Sequence, residues 1–239
     1  MTVVLMLGSA PMVTEAATWP RAPFDRIVAI NNAWRVRGDW DDAVFPWDFP
    51  VERQPAAGPG QALVTEAEFV PAQNRYGGFV YAGATMAFTA GYWALDALRP
   101  SVLAVFGCDM HYPKSGLTHF YGIGTPDPLR SDITLRSLEA KSARLMVMAA
   151  MQSCAVVNLS AGPSRLIFPR AVRASVAAAR PVTWCPDLAA EALALEAELG
   201  YEVPSGRYWE ESERFDPAKL DQLDRLWLQA ATLPLRQTA

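Results

Sequence analysis

Cysteine is scarce in this 239-residue chain: Cys108, Cys154 and Cys185 are widely spaced and form no Cys-x-x-Cys pair. That argues against a disulfide framework or a zinc ribbon and fits a reducing, cytoplasmic setting. Lysine is scarcer than its charge class suggests, with three against eighteen arginines, and acidic residues outnumber basic ones by 25 to 21. The formal net charge of −4 leaves no chain-wide basic field, which argues against binding to nucleic acid or to an anionic membrane surface. Neither Gly-x-Gly-x-x-Gly nor the lysine-containing phosphate loop occurs, so the dinucleotide and NTPase fingerprints are both missing. Internal repeats and low-complexity segments are absent as well.

What is present is apolar and aromatic. The chain is 51% hydrophobic and 19% charged with eight tryptophans, which is the make-up of a globular protein. The segment from Tyr76 to Leu95 carries no charge over a length that reaches across a bilayer, but its glycines, threonines and tyrosines read as a turn running into a buried helix. No transmembrane span is expected. The apolar start of the chain lacks the positive charge of a secretory signal and reads as a buried strand.

Short apolar runs recur at Val3 to Leu7, Arg26 to Ile30, Ala43 to Trp47, Ala62 to Thr65, Val102 to Gly107 and Ala155 to Leu159. Their length is that of strands buried on both faces. Helical patterns at Gly83 to Leu98 and Thr134 to Ser153 separate the later runs. This alternation predicts an α/β fold, a Rossmann-like, mostly parallel sheet flanked by helices, over residues 1–186. Residues 187–239 read as a helical extension packed on it. Asp187 and Asp216 are expected to cap its two helices, and Gly200 to end the first. The connections 38–60 and 109–131 exceed ordinary loop lengths and are expected to be lids or binding loops.

In an open parallel sheet the ligand crevice lies outside the carboxyl ends of the strands, which directs attention to the residues there. Gly8, Ser9, Ala10 and Pro11 follow the first run, and Asn31 and Asn32 end the second. Adjacent strand residues point apart, so only one asparagine is expected to face a ligand. Gly107 closes the fifth run and leads into Cys108-Asp109-Met110-His111-Tyr112, with Thr118-His119-Phe120-Tyr121-Gly122 a short loop beyond. Both histidines of the chain sit in this segment. A histidine can deprotonate a hydroxyl near neutral pH, and tyrosine hydroxyls can stabilise a departing phosphate. Asn158 and Ser160 leave the last run beside Arg165. No metal site is expected, because Cys108, Asp109, His111 and His119 match no zinc spacing.

Taken in order, these segments resemble the bacterial CMP-sialic-acid-dependent sialyltransferases and the related domains of motility-associated and pterin-diphosphokinase-like proteins. Val4 to Pro11 is similar to the family's strand ending Gly-Xaa-Gly-Pro-Ser, with Ala10 and Met12 in place of the second Gly and the Ser. Ile30-Asn31-Asn32 is similar to its Cys-Asn-Gln. Ala82-Gly83-Ala84-Thr85-Met86, with the strand from Val102 to Asp109, is similar to its Ser-Gly-Val-Tyr-Met helix and Gly-Ile-Asp-Phe-Tyr strand end. Thr134 to Pro163 is similar to the helix and strand that follow.

The resemblance spans Met1 to Arg165. It implies a cytidine nucleotide sugar held at Gly8, Ser9, Ala10, Pro11, Asn31, Asn32, Gly83, Ala84, Gly107, Asn158 and Ser160, with no resident cofactor. It also implies a metal-independent, inverting transfer to a glycan or other hydroxyl acceptor. Asp109 carries over, and His111 falls at the first phosphate tyrosine, with Tyr112 beside it. Ala82 replaces a donor-contacting serine, Phe79 stands where an arginine is expected, and the family's base histidine has no direct counterpart. His119 or His111 is expected to take that role, with Tyr112 and Tyr121 on the leaving phosphate. Two other readings stay open: a diphosphokinase-like phosphoryl transfer with Mg²⁺ and ATP, using Asp109 and Asp127, and a non-catalytic nucleotide-binding or assembly protein.

Overall fold

The structure, a computed structural model, describes residues 1–124 and 127–232. Six parallel strands form one sheet: β1 (Val3–Leu7), β2 (Arg26–Ile30), β3 (Asp42–Val44), β4 (Ala62–Val64), β5 (Val102–Phe106) and β6 (Ala155–Asn158), in the order β4-β3-β2-β1-β5-β6. The fold is α/β and Rossmann-like. The segment beginning the chain is the central strand, paired with β2 on one side and β5 on the other. Four expected strands, β3 to β6, end before their apolar runs do. Pro46 lies two residues beyond the end of β3, and Gly107, at φ 76°, turns the chain away at the end of β5.

Burial on both faces explains why the strands are apolar throughout. Val4, Met6, Val28, Ile30, Leu103, Val105 and Val156 face one core, while Val3, Leu5, Leu7, Ile27, Ala29, Ala104 and Phe106 face another. The first core is covered by α1 (Glu66–Asn74), α2 (Phe79–Ala82), α3 (Met86–Trp93) and α4 (Leu138–Met151). The second is covered by short 3₁₀ segments at Pro11–Thr18, Asn31–Arg35 and Arg173–Ala178. The charge-free stretch 76–95 is thus α2 and α3 broken at Gly83, and among the described residues no helix is long and apolar enough to cross a membrane.

Helix boundaries follow their caps. Thr65 and Glu68 form a reciprocal capping box that starts α1. Thr85 accepts from Phe88 N–H to start α3, so the helix begins three residues after Gly83, not at it. Ser137 accepts from Ala140 N–H to start α4, leaving the expected first turn as a separate 3₁₀ segment, Ile133–Leu135, capped by Asp132. In the extension, α5 (Pro186–Leu199) is preceded by Cys185, which places Asp187 inside the first turn, where it complements the helix dipole instead of capping. Gly200 ends it in the left-handed conformation, and Asp216 caps α6 (Pro217–Ala231) through Ala218 N–H.

The helical extension is tied to the sheet layer by charge as well as by apolar packing. Ala143 and Val147 of α4 share a cluster with Ala189, Ala192, Leu226 and Trp227. Within it, Arg144, only 1% exposed, donates from Nε and Nη2 to both oxygens of Glu196, from Nη1 to Tyr92 Oη and from Nη2 to the Tyr76 carbonyl. Trp227 Nε1 donates to Glu196 Oε1 at 2.8 Å, and the Tyr81 hydroxyl donates to the Glu196 carbonyl. Burial would lower the Arg144 pKa, but attraction to Glu196 and Tyr92 outweighs it and holds the guanidinium above its ordinary value.

Candidate functional site

From β1 the chain steps outward through β2, β3 and β4, then returns to the far side of β1 as β5. The two neighbouring strands whose following chains depart in opposite directions leave a crevice at their carboxyl ends, the general ligand position of open α/β sheets. A cavity of about 780 Å³, counting its open mouth, occupies that place. Gly8, Ser9, Ala10, Ile30, Asn31, Gly107, Cys108 and Met110 form its floor, and Thr85, Met86 and Ala87 one wall. His111, Tyr112, His119, Tyr121 and Pro128 complete it.

The floor depends on two glycines in contact. Gly8 N–H donates to the Phe106 carbonyl and Ala10 N–H to the Gly107 carbonyl, both at 2.9 Å. A Cβ on Gly8 would fall against the Gly107 carbonyl and 2.5 Å from Cys108 Sγ. Gly8→Ala is therefore expected to push β1 and β5 apart at the floor and to cost about 1–3 kcal/mol, the usual range for overpacking. A urea titration reads the loss as a lower midpoint, and an unchanged midpoint would show that the two loops do not meet this closely. Cys108 itself is inert, since burial pushes its thiol pKa well up.

Two non-glycine residues of the cavity, Asn31 and Met110, sit at φ 51°, in the left-handed region. Asparagine tolerates that conformation through its short polar side chain, but methionine is strained there, and such strain concentrates at binding sites. Asn31 Oδ1 is buried without a hydrogen-bond partner. Asn32 Oδ1 is likewise buried without a partner, but Asn32, 3% exposed, lies off the cavity, so the two asparagines do diverge.

The sequence placed Gly83 and Ala84 at the ligand, and the wall is formed instead by the residues that follow them. Thr85, Met86 and Ala87 are the N-cap and first two residues of the helix. The N–H groups of Met86 and Ala87 have no acceptor within their own helix, and the dipole there is positive. Among the described residues no arginine or lysine lines the cavity, so a phosphate there would meet main-chain N–H groups and not a guanidinium. Gly83 and Ala84, expected at the ligand, stand back from it. Gly83 accepts at its carbonyl from Gln73 Nε2 and packs on Lys141 and Phe88, and Ala84 N–H donates to Thr134 Oγ1. Phe79 is core, stacked with Tyr208.

The chain beyond β5 folds over the mouth. His119 and Gly122 form a two-bond antiparallel bridge, and Phe120 N–H donates to the Ser9 carbonyl at 3.0 Å, tying this turn to the loop after β1. The His119 ring stacks on Tyr121 at 5.0 Å between centroids and lies 5.7 Å from the Tyr112 ring. Burial lowers its pKa, which keeps the imidazole neutral at pH 7.

Four expected ligand residues do other work. Asp109, 2% exposed, accepts from Asn158 Nδ2 at 2.9 Å and does not line the cavity, so it is not placed to act on a substrate there. Asn158 Oδ1 accepts from Ser160 N–H, and Ser160 Oγ accepts from Gly107 N–H. Asn158, Ser160 and Asp109 thus brace the end of β5 from behind. Pro11 opens the first 3₁₀ segment and also lies off the cavity. The side chain of Asp127 lies outside the described residues.

Fold and cavity together define an α/β protein with a crevice at the β1/β5 switch point and a histidine at its mouth. No family model matches the chain, and no curated protein or solved structure matches it significantly.

Proposed function

We propose that the chain is a glycosyltransferase-like enzyme that takes a nucleotide sugar, a CMP-linked sugar by its sequence resemblance, in the β1/β5 crevice and transfers the sugar to a hydroxyl acceptor. The observation that carries the reading is the meeting of an anion-favouring helix N-terminus and a neutral imidazole in one cavity. The donor phosphate lies against the N–H groups of Met86 and Ala87, and the nucleoside runs along Gly8, Ser9 and Asn31. His119 Nε2 takes the proton of the acceptor hydroxyl as its oxygen attacks the anomeric carbon. The bond from that carbon to the phosphate oxygen breaks, and CMP leaves with the bonding electrons. Tyr112, Tyr121 and His111 face the phosphate as it departs.

The diphosphokinase-like alternative needs carboxylates to hold Mg²⁺, and Asp109 turns away from the cavity to Asn158. The transfer reading is tested by incubating the protein with a CMP-sugar and a panel of hydroxyl acceptors, with chelator present, and measuring CMP. CMP release that depends on an acceptor is expected. Turnover of ATP that depends on magnesium would replace the reading with phosphoryl transfer, and nucleotide binding without any turnover would replace it with a binding protein.

A further inference from the structure

A histidine in its neutral form presents a lone pair on only one nitrogen, and the group bonded to the other nitrogen decides which. In this chain that group is Thr118. Its Oγ1 lies 2.9 Å from His119 Nδ1, accepts from Gly124 N–H at 2.9 Å, and lies 3.2 Å from the Gly124 carbonyl, to which it donates. A hydroxyl has one proton and two lone pairs. The Gly124 carbonyl can only accept and the Gly124 N–H can only donate, so with both of these bonds made they take the proton and one lone pair. In that arrangement the second lone pair is left for Nδ1, and the nitrogen brings the hydrogen.

We propose that Thr118 is a positioning residue that holds His119 as the Nδ1–H tautomer and so turns a bare Nε2 toward the cavity. The proposal rests on the reading of His119 as proton acceptor, and it supplies the third group that such a base needs to be oriented. Three further contacts fix the ring. Gly124 closes the Nδ1 edge, since a Cβ there would stand 3.2 Å from Nδ1 and 3.4 Å from Cε1. Tyr121 covers a face of the ring, with planes inclined by 21°, and the Tyr112 ring is its other aromatic neighbour. Nε2 has no hydrogen-bond partner among the described residues and is not among the sealed, unpartnered atoms.

The chain has only two histidines, so the tautomer is directly readable by long-range ¹H–¹⁵N NMR on histidine-labelled full-length protein, with His111→Ala to assign the signals. At pH 7.5 the wild type is expected to show His119 Nδ1 at the protonated position and Nε2 at the unprotonated one. Thr118→Val, which removes the hydroxyl at nearly constant volume, is expected to shift the population toward Nε2–H, and Thr118→Ser to restore the wild-type pattern. A wild-type spectrum with the proton on Nε2 overturns the proposal, as does a Thr118→Val spectrum identical to wild type. If Thr118→Val fails to fold, the wild-type and Thr118→Ser spectra still decide. An Nδ1–H signature in a protein whose turnover survives His119→Ala would sink the proton-acceptor reading while leaving the Thr118 contact in place.

Discussion

His119→Ala is expected to lower acceptor-dependent CMP release by about 10²–10⁴-fold, the usual contribution of a general base, with nucleotide affinity nearly unchanged. The argument is positional and electrostatic. His119 sits on the turn that closes over the cavity, is anchored to Ser9 through Phe120 N–H, and is kept neutral by burial. Its pKa lies below the ordinary imidazole value of 6.5. The acid limb of kcat/KM is therefore expected below pH 6.5, and the variant should lose that limb. The same depression has a stability counterpart. The unfolded chain binds a proton at His119 more readily, so this contribution is fully present above pH 6.5 and is lost as pH falls through the folded value. Full turnover in His119→Ala would show that another group takes the proton, and His111, which also lines the cavity, would be the next to test.

The second large effect is on stability. Glu196→Ala is expected to destabilise the fold by about 3–5 kcal/mol, because it strands the Arg144 charge in a core where 1% of the residue reaches water. It also removes the acceptor of Trp227 Nε1 on α6. For a chain of this size that loss corresponds to a fall in Tm of roughly 6–20 °C. Replacing both partners by apolar residues, Arg144→Met with Glu196→Leu, is expected to recover most of it, since a well-packed apolar pair is often as stable as a buried ion pair. Calorimetric melting of the two variants checks both statements, and a single variant as stable as wild type would mean that water or another group reaches Arg144.

The strands were legible because burial on both faces makes them apolar throughout, a pattern that survives without any periodicity. The 3₁₀ layer on the second face was not, since segments such as Pro11–Thr18 close only local i to i+3 bonds and leave no helical stripe. Helix α1 was missed although Thr65-x-x-Glu68 announces it, because Pro71 inside the helix reads as a breaker. At the site, residue types at strand ends led to the edge of the sheet where the cavity lies, but they did not separate the side chains that line it from those that do not. Asn158 and Ser160 are as polar as Asn31, yet they brace β5 while Asn31 lines the cavity. The pleat and the left-handed turn at Asn31 make that difference, and neither is written in composition. Met86 and Ala87 were not among the residues expected at the ligand, because what they offer is main-chain N–H.

Isothermal titration of the wild-type protein with CMP, ADP and GDP, repeated on Gly8→Ala, tests whether the β1/β5 crevice is a cytidine nucleotide site. Tighter binding of CMP than of the purine nucleotides, weakened when a methyl group enters the floor at Gly8, is the expected result. At 100 times its dissociation constant the bound nucleotide should also stabilise the fold by about 2.7 kcal/mol. Preference for a purine nucleotide, no binding, or CMP binding that ignores Gly8→Ala would contradict it.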